Sequence, residues 1–217
     1  MFEERGGELL RQHAVAEQGL NKSKMHVLAA LTRLRQICCH PQLVGSNVAS
    51  GKTETLFELL DTLVAEGQKV LVFSQFVSML DLIKARLELE ARPFHYLTGQ
   101  TKDRKGEIER FQTTKDASVF MLSLKAGGAG LNLTSASYVI LYDPWWNPAV
   151  ENQAIDRTHR IGQTHQVIAY RLVVKNSIEE KIRHLQRTKS AMASDVLGEE
   201  SFAKALTLND FQFLLED

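Results

Sequence analysis

The sequence predicts an α/β protein in which helices cover both faces of a mostly parallel β-sheet. Two observations predict this class: short runs rich in β-branched and aromatic residues recur along the chain, and helical patterns separate them. Runs this apolar are typical of strands buried on both faces. The chain has 217 residues and is 44% hydrophobic, which is enough for one large domain with helical appendages.

Helical segments come first and last. Residues 1–40 are polar and amphipathic, and the pattern stops before Pro41; the apolar positions at helical spacing are Leu28, Leu31, Leu34 and Ile37. Residues 177–217 return to helix. We therefore divide the chain into a helical lead-in and linker (1–50), an α/β lobe (51–176) and a C-terminal helical brace (177–217).

Helices and strands alternate within the lobe. Helices are predicted over residues 53–65, 77–90 and 102–111, and strands over residues 70–74, 94–97, 119–123, 138–142 and 167–173. Parallel sheets bind ligands at the carboxyl ends of their strands, so the residues that follow each strand are the first candidates for a site.

The segment QAIDRTHRIGQ, residues 153–163, is predicted to lie on a helix. Asn147 suits the N-cap, Pro148 suits the first helical position, and Gly162 follows the last periodic residue. Three polar residues at i, i+4 and i+7 would share one face of that helix: Gln153, Arg157 and Arg160.

Two guanidinium groups on one helix face suit a partner that carries phosphate oxygens. Arg157 and Arg160 are therefore candidates for stabilising charge on a transferring phosphoryl group. Arg157 has no acidic residue three or four positions away, whereas Asp156 could pair with Arg160 on an ordinary solvated face. The segment alone leaves both interpretations open.

Charge and cysteine content limit which partners, compartments and metal sites the sequence allows. The 26 basic and 26 acidic residues balance, although residues 151–192 hold eight Lys or Arg against four acids, which could face an acidic polymer or be local fluctuation. Cys38 and Cys39 are adjacent and poorly placed for a disulfide, which fits a reducing compartment. No second ligand pair accompanies them, so no metal site is predicted. The apolar runs are too short to span a bilayer.

Polar or glycine-rich loops follow three of the predicted strands. The loop of residues 124–133, LKAGGAGLNL, could bring backbone amides to phosphate or ribose, or form a tight turn. Residues 98–101, TGQT, precede a helix with Thr101 as its expected N-cap, and they either bind a backbone phosphate or only cap the helix. Ser74 and Gln75 leave the first strand and could reach the same polymer.

Two other segments are ambiguous. SGKTETL, residues 50–56, resembles a phosphate loop, but five residues instead of four separate Gly45 from Gly51 and no strand precedes it, so a linker ending in a helix cap is favoured. Trp145 and Trp146 either plug the edge of the core or form a surface lever that senses a partner.

Five ordered motifs together resemble the second motor lobe of the Swi/Snf family of DNA-dependent ATPases, in helicase superfamily two. They are FSQF (73–76), LTGQTKDR (97–104), LSLKAGGAGLNL (122–133), DPWWNP (143–148) and QAIDRTHRIGQ (153–163). LRQICCHP (34–41) resembles the segment that leads into this lobe. The resemblance covers nearly all of residues 28–181.

The resemblance implies a RecA-like lobe that closes against a first lobe, with ATP in the cleft and double-stranded DNA across the top. Arg157 and Arg160 correspond to the arginine-finger motif, which includes Gln153, and Gly130 and Asn132 match a loop that contacts nucleotide. The positions that match DNA-phosphate contacts are Ser74, Gln75, Gly99, Gln100, Thr101, Ser123 and Lys125.

The family's phosphate loop and acidic magnesium-binding box belong to the first lobe and are absent from this sequence. The resemblance therefore implies half of an ATP-driven DNA translocase that remodels protein–DNA complexes, and the lobe alone is expected to be inactive. The expected cofactors are ATP and Mg²⁺, with the Mg²⁺ ligands on the first lobe. Trp145 matches a tryptophan thought to couple the nucleotide and DNA sites.

The expected partners are double-stranded DNA, the first RecA-like lobe and a DNA-bound protein substrate, with no membrane. The expected compartment is the nucleoid-containing cytoplasm of a bacterium or the nucleus of a eukaryote. Two alternatives remain: a docking module that binds DNA without dependence on nucleotide, and a self-sufficient phosphate-loop enzyme built on Lys52.

Overall fold

Five strands form one sheet in the part of the chain that the structure describes, and every pairing in it is parallel. The structure, a computed structural model, describes residues 26–127, 131, 133–156, 158, 166–188 and 206–215. The strands are β1 (Val70–Ser74), β2 (Phe94–Leu97), β3 (Val119–Ser123), β4 (Tyr138–Leu141) and β5 (Ile168–Arg171), in the spatial order β2-β3-β1-β4-β5. The predicted parallel α/β class is confirmed.

Helices cover both faces of this sheet. They are α1 (residues 26–39), α2 (Gly51–Ala65), α3 (Val77–Leu89), α4 (Arg104–Thr113), α5 (Leu124–Gly127), α6 (Pro148–Ile155), α7 (Ile178–Thr188) and α8 (Leu208–Leu215), with a 3₁₀ turn at Pro41–Val44. Helices α2 and α3 pack on one face, and α4, α5 and α6 pack on the other. None of the described helices has both the length and the apolar character needed to cross a bilayer.

The central strands are buried at every position because they are covered on both faces. Successive side chains of β1 alternate between two cores: Val70 and Val72 pack with α2 and α3, whereas Leu71 and Phe73 pack with α4 and α6. Burial of each such side chain contributes about 1.5–3 kcal/mol. The predicted bounds of β1, β2 and β3 match the structure, because a strand buried on both faces reads as an uninterrupted apolar run.

Helix α4 starts two residues later than predicted, at Arg104. Its N-cap is Asp103, whose carboxylate accepts a hydrogen bond from the Gly106 N–H at 2.9 Å. Thr101 is therefore not the N-cap, and that prediction was wrong. The Thr101 Oγ1 instead accepts from the Thr98 N–H at 2.9 Å and closes a turn in the loop before the helix. Asp and Thr both serve as N-caps, and the negative charge of Asp103 adds a favourable interaction with the helix dipole.

Helix α1 does not bury the face on which its apolar residues recur in the sequence. Leu31 is buried, but Leu34 and Ile37 are 39% and 45% exposed. The other buried side chains of this helix are Arg35 and Cys39, four and eight residues after Leu31. A pattern that counts apolar residues cannot show that an arginine lies on the buried face.

A second, smaller core joins α1, α7 and α8 around Trp146. Its buried members are Leu31, Trp146, Ile178, Ile182, Leu185, Leu206, Phe211 and Leu214. A guanidinium NH₂ of Arg35 donates to the Pro144 carbonyl at 2.7 Å, and the guanidinium carbon lies 4.9 Å from the Trp146 ring centroid. The described part of the brace thus packs back on the lead-in helix and on the loop after β4.

A buried ion pair ties α7 to the start of α2. Lys52 Nζ lies 2.6 and 2.7 Å from the two carboxylate oxygens of Glu179, whose side chain is fully buried. The Val174 N–H donates to the same carboxylate at 2.9 Å, and the ammonium lies 5.0 Å from the Tyr142 ring centroid. Each charge depends on the other here, because an unpaired ion in such a site lacks the solvation that water would provide.

We expect Glu179→Gln to lower the free energy of unfolding of this chain by about 3 kcal/mol, because it leaves the Lys52 ammonium buried without its counter-charge. Urea unfolding measures the change. The control is Glu88→Gln, which breaks the exposed Lys84–Glu88 pair at 3.7 Å and should cost less than about 0.5 kcal/mol. Equal unfolding midpoints for the two variants would contradict a stabilising role for the buried pair.

Candidate functional site

The parallel strands bring the predicted site residues to one edge of the sheet. Ser74 is the register partner of Ser123 between β1 and β3, and Leu97 pairs with Leu122 on the next strand. Helix α3 leaves β1 toward one face, whereas α5 and α6 leave β3 and β4 toward the other. Crevices form where neighbouring connections diverge in this way, so this edge is where a ligand can bind.

A buried hydrogen-bond cluster joins β1 to the loop after β4. The Ser74 hydroxyl donates to the Asp143 carboxylate, and the Gln75 N–H donates to the same carboxylate at 3.3 Å. Burial raises the pKa of Asp143 to about 6, against the opposing effects of the nearby Arg35 guanidinium and the Ser74 hydrogen bond. The cluster fixes the position at which the chain leaves β1.

The side chains of Ser74 and Ser123 point into the protein and not toward a ligand. Both are buried, and the Ser123 Oγ accepts from the Ala126 N–H at 3.3 Å at the start of α5. Their location at the edge agrees with the sequence, but both hydroxyls already have partners. Lys125 lies on α5, and its side chain is outside what the structure describes.

Residues 98–101 form a turn at the same edge, with its two middle residues exposed. The Thr101 N–H donates to the Thr98 carbonyl at 3.2 Å and the Gln100 N–H to the Thr98 Oγ1 at 3.3 Å, which makes a tight turn. Gly99 and Gln100 are exposed, and a Cβ built on Gly99 would meet no atom within 4 Å. Nearby along the edge, the Nε2 of Gln75 is a buried donor with no hydrogen-bond partner among the described residues.

The loop DPWWN, residues 143–147, is buried throughout. Trp145 packs in the core beneath α4 and α6, whereas Trp146 packs among α1, α7 and α8. The sequence left open whether the two tryptophans fill the edge of the core or lie on the surface, and the structure shows that both are buried in the core. Because adjacent side chains enter different cores, this loop connects the sheet to the helical appendages.

Helix α6 begins as the sequence predicts. The Asn147 Oδ1 accepts from the Ala149 N–H at 2.8 Å, and Pro148 occupies the first turn. The helix ends at Ile155, whose carbonyl accepts both the N–H and the hydroxyl of Thr158 at 3.0 and 2.6 Å.

The described helix α6 ends at Ile155, so the structure shows the predicted helix of the arginine segment only as far as that residue, and a shared face for Gln153, Arg157 and Arg160 stays a prediction. Gln153 is exposed in the last turn of α6. Arg157 and Arg160 lie outside the described residues, as do the nucleotide-loop candidates Gly130 and Asn132.

Lys52, the lysine of the partial phosphate-loop pattern, is held by Glu179 inside the protein. Helix α2 is preceded by the 3₁₀ turn Pro41–Val44 and the cap Ser50, and not by a strand. The Ser50 side chain accepts from the Thr53 N–H, so the helix begins at Gly51, two residues before its predicted start. This arrangement does not support a phosphate-loop enzyme built on Lys52.

The described residues do not fit a magnesium site. Across the described ranges, no group of three or more His, Cys, Asp or Glu side chains could hold a metal ion. Asp143, the buried carboxylate at the edge, is already bonded to Ser74 and Gln75.

Comparison with known families identifies residues 51–162, more than half of the chain, as a helicase conserved C-terminal domain. The chain is 37% identical over 200 residues to an uncharacterized ATP-dependent helicase of Mycoplasma pneumoniae, covering 90% of this chain and 19% of that protein. It is 43% identical over 155 residues to the chromatin-remodeling ATPase INO80 of Mus musculus, covering 70% and 10%. The SWI2/SNF2 ATPase core of Sulfolobus solfataricus, solved in complex with dsDNA, is 34% identical with a TM-score of 0.74, covering 90% of this chain and 42% of that chain.

The chain belongs to the SWI2/SNF2 family, as a helicase C-terminal lobe. The family resemblance carried by the five motifs and the RecA-like fold are both confirmed. The chain spans between a tenth and a fifth of the length of the two curated relatives above.

Four buried polar residues of this SWI2/SNF2 lobe were not singled out from the sequence: Arg35, Glu151, Glu179 and Gln186. The sequence offers one indication that Arg35 is buried: it lies four residues from both Leu31 and Cys39, so the three residues share one face of α1. Each of these polar residues bonds to a group at least 20 residues away in the chain, so the local pattern does not reveal the contact.

Asp143 gives the lobe a testable pH dependence. Its pKa is about 6 in the folded protein and roughly 3.9 in an unfolded chain. The folded state therefore binds this proton more tightly, and the resulting stability is fully present below about pH 4 and lost as pH rises through about 6. We expect the stability of the wild type relative to Asp143→Asn to fall by up to about 3 kcal/mol over this range. Urea unfolding at successive pH values measures it, and a constant difference would contradict the assignment.

Proposed function

We propose that this chain is the second motor lobe of an ATP-dependent translocase that moves on double-stranded DNA and remodels protein–DNA complexes. The observation that carries the proposal is the single edge of the parallel sheet, which brings together the ends of β1, β2, β3 and β4. Two findings about related proteins support it: the names of the relatives describe ATP-dependent enzymes, and the Sulfolobus core was solved with dsDNA.

On the nucleotide side, we propose that Arg157 and Arg160 act as arginine fingers toward ATP held by a first lobe. Gln153, Gly130 and Asn132 would contact the same nucleotide. The capped start of α6 supports this assignment, because it fixes the direction in which the chain approaches the arginine segment. Guanidinium groups neutralise charge on the β- and γ-phosphates as the bond between them breaks.

On the DNA side, we propose that one strand's phosphates lie along the edge formed by Gln75 and residues 98–101. Exposed Gly99 and Gln100 allow close approach of a backbone phosphate, and Thr101 stands beside them. The Ser74 and Ser123 hydroxyls already have partners in the protein, so these residues would not contact DNA directly. They would instead hold the segments that follow β1 and β3 in position. Lys125 would add a cation to the same track.

The proposed cycle couples these two sides. ATP binding would draw the lobes together, the arginines would then stabilise the transferring phosphoryl group, and release would reopen the cleft. Trp145 would couple the two sites, and the proposal is supported by the packing of its side chain in the core that also holds Ala154 of α6 and Leu122 of β3. Each closure would step the phosphate contacts along one strand.

The proposed partners follow from this division of roles. A first RecA-like lobe would supply the phosphate loop and the Mg²⁺ ligands, double-stranded DNA would be the track, and a DNA-bound protein would be the remodelled substrate. A DNA track places the protein in the nucleus of a eukaryote or with the nucleoid in a bacterial cytoplasm.

The nucleotide assignment predicts a large effect of Arg160→Ala in the polypeptide that carries both lobes. DNA-stimulated ATP hydrolysis should fall by ~10³ or more, because the charge on the transferring phosphoryl group loses its cation. Steady-state phosphate release measures this. Lys115→Ala removes one exposed cation from the loop before β3, at the opposite end of the strands, and should leave the rate unchanged. Near-normal hydrolysis in Arg160→Ala would show that the finger assignment is wrong.

The DNA assignment predicts that Gln100→Glu weakens DNA binding by this chain. The new carboxylate would repel backbone phosphates, and the loss should be larger at low salt because Coulombic repulsion is screened by ions. Fluorescence anisotropy with a labelled duplex at several salt concentrations measures the affinity. Gln166→Glu adds the same charge at an exposed position just before β5, away from this edge. If both variants weaken binding equally, residues 98–101 do not form the contact.

A further inference from the structure

Both backbone polar groups of Trp145 are held by side chains from other elements. Its N–H donates to the Glu151 Oε1 of α6 at 2.9 Å, and its carbonyl accepts from the Gln186 Nε2 of α7. The same Nε2 lies 3.3 Å from the Glu151 Oε1, so the three groups form one buried cluster. The loop after β4 therefore cannot shift without breaking a bond to α6 or α7.

Glu151 is the centre of this cluster. Its side chain is only 2% exposed, and its second oxygen, Oε2, accepts from the Arg171 Nε at 2.9 Å, with an Arg183 NH₂ at 3.8 Å. Glu151 faces the interior in the first turn of α6, and Ala154 faces the same core three residues later. Both the start and the rotation of α6 are thus fixed by contacts with Trp145 and with residues beyond the helix.

The residues that complete the cluster lie outside the matched helicase domain. That domain ends at residue 162, whereas Arg171 ends β5 and Gln186 is on α7. Helix α7 is also tied to α2 by the Lys52–Glu179 pair, which lies at its other end. Hence α7 is anchored near its first residue and bonded near its last turn to the loop that precedes α6.

We propose that Gln186 is a positioning residue, through which α7 holds the Trp145 loop and α6 so that the arginine segment after α6 meets the nucleotide. The proposal rests on the proposed function, since it concerns where Arg157 and Arg160 lie when the lobes close. Gln186 itself does not touch nucleotide or DNA. Its two donors keep Trp145 and Glu151 in one fixed arrangement, and a displacement of about 1 Å at reacting groups can cost up to about a hundredfold in rate.

The deciding variant is Gln186→Met, which keeps a side chain of similar length and removes both donors. Arg187→Met is the matched control, because Arg187 is exposed on the next position of the same helix. In the polypeptide that carries both lobes, we expect Gln186→Met to lower the DNA-stimulated kcat about ten- to a hundredfold and to leave the KM for ATP within about twofold of the unsubstituted value. A role in packing alone would be preserved by methionine.

A second measurement uses this 217-residue chain by itself. Trp145 and Trp146 are its two tryptophans, so fluorescence excited selectively in tryptophan, and not in the four tyrosines, reports on this loop alone. We expect acrylamide to quench Gln186→Met more strongly than Arg187→Met, because the loop loses its bond to α7. Arg187→Met should behave like the unsubstituted chain in both assays.

The outcomes separate the inference from the proposed function. Wild-type kcat in Gln186→Met, or an equal loss of kcat in Arg187→Met, overturns the inference alone. A lower kcat with unchanged quenching also overturns it, since the effect would not pass through the loop. Absence of DNA-stimulated hydrolysis in the unsubstituted polypeptide overturns the proposed function and the inference with it.

Discussion

The burial of charge around residues 143–147 is the constraint on which the rest of the lobe depends. An ion taken out of water loses several kcal/mol of solvation, so each buried ionisable group must have a partner. Three of these groups join an appended helix or strand to its neighbours: Arg35 bonds the Pro144 carbonyl, Lys52 pairs with Glu179, and Glu151 pairs with Arg171. These contacts place α1 and α7 against the loop, and the apolar cluster around Trp146 then fills the space between them.

Much of the fold could be predicted from the sequence, because it follows from local patterns. Three central strands have the predicted bounds, since their side chains are buried on both faces and form unbroken apolar runs. The start of α4 was predicted two residues early, because Thr101 and Asp103 both suit an N-cap and only the structure shows which one bonds. Helix α6 also begins where its local pattern predicts, because Asn147 caps it and Pro148 occupies its first turn.

The position of the candidate site could also be predicted, whereas the state of its side chains could not. Parallel strands put Ser74, Ser123 and the turn at residues 98–101 at one edge, and topology alone dictates this. The Ser74 hydroxyl is bonded to the Asp143 carboxylate, and the Ser123 hydroxyl accepts from the Ala126 N–H at the start of α5. Neither contact could be read from the sequence. Contacts such as Gln186 to Trp145, 41 residues apart, leave no periodic trace in the sequence.

The chemistry at the edge agrees with the proposal that a first lobe supplies the metal ligands. Asp143, Glu151 and Glu179, the buried carboxylates that surround the loop after β4, are each bonded to donors of the same chain. Backbone N–H groups stabilise anions, but they do not supply the oxygen ligands that Mg²⁺ requires. Phosphoryl transfer needs a metal that bridges the phosphates as well as cations that neutralise charge. In the proposed function, this lobe would contribute hydrogen-bond donors and guanidinium groups to a nucleotide whose metal is held by a first lobe, and hydrolysis would then require the two surfaces to meet.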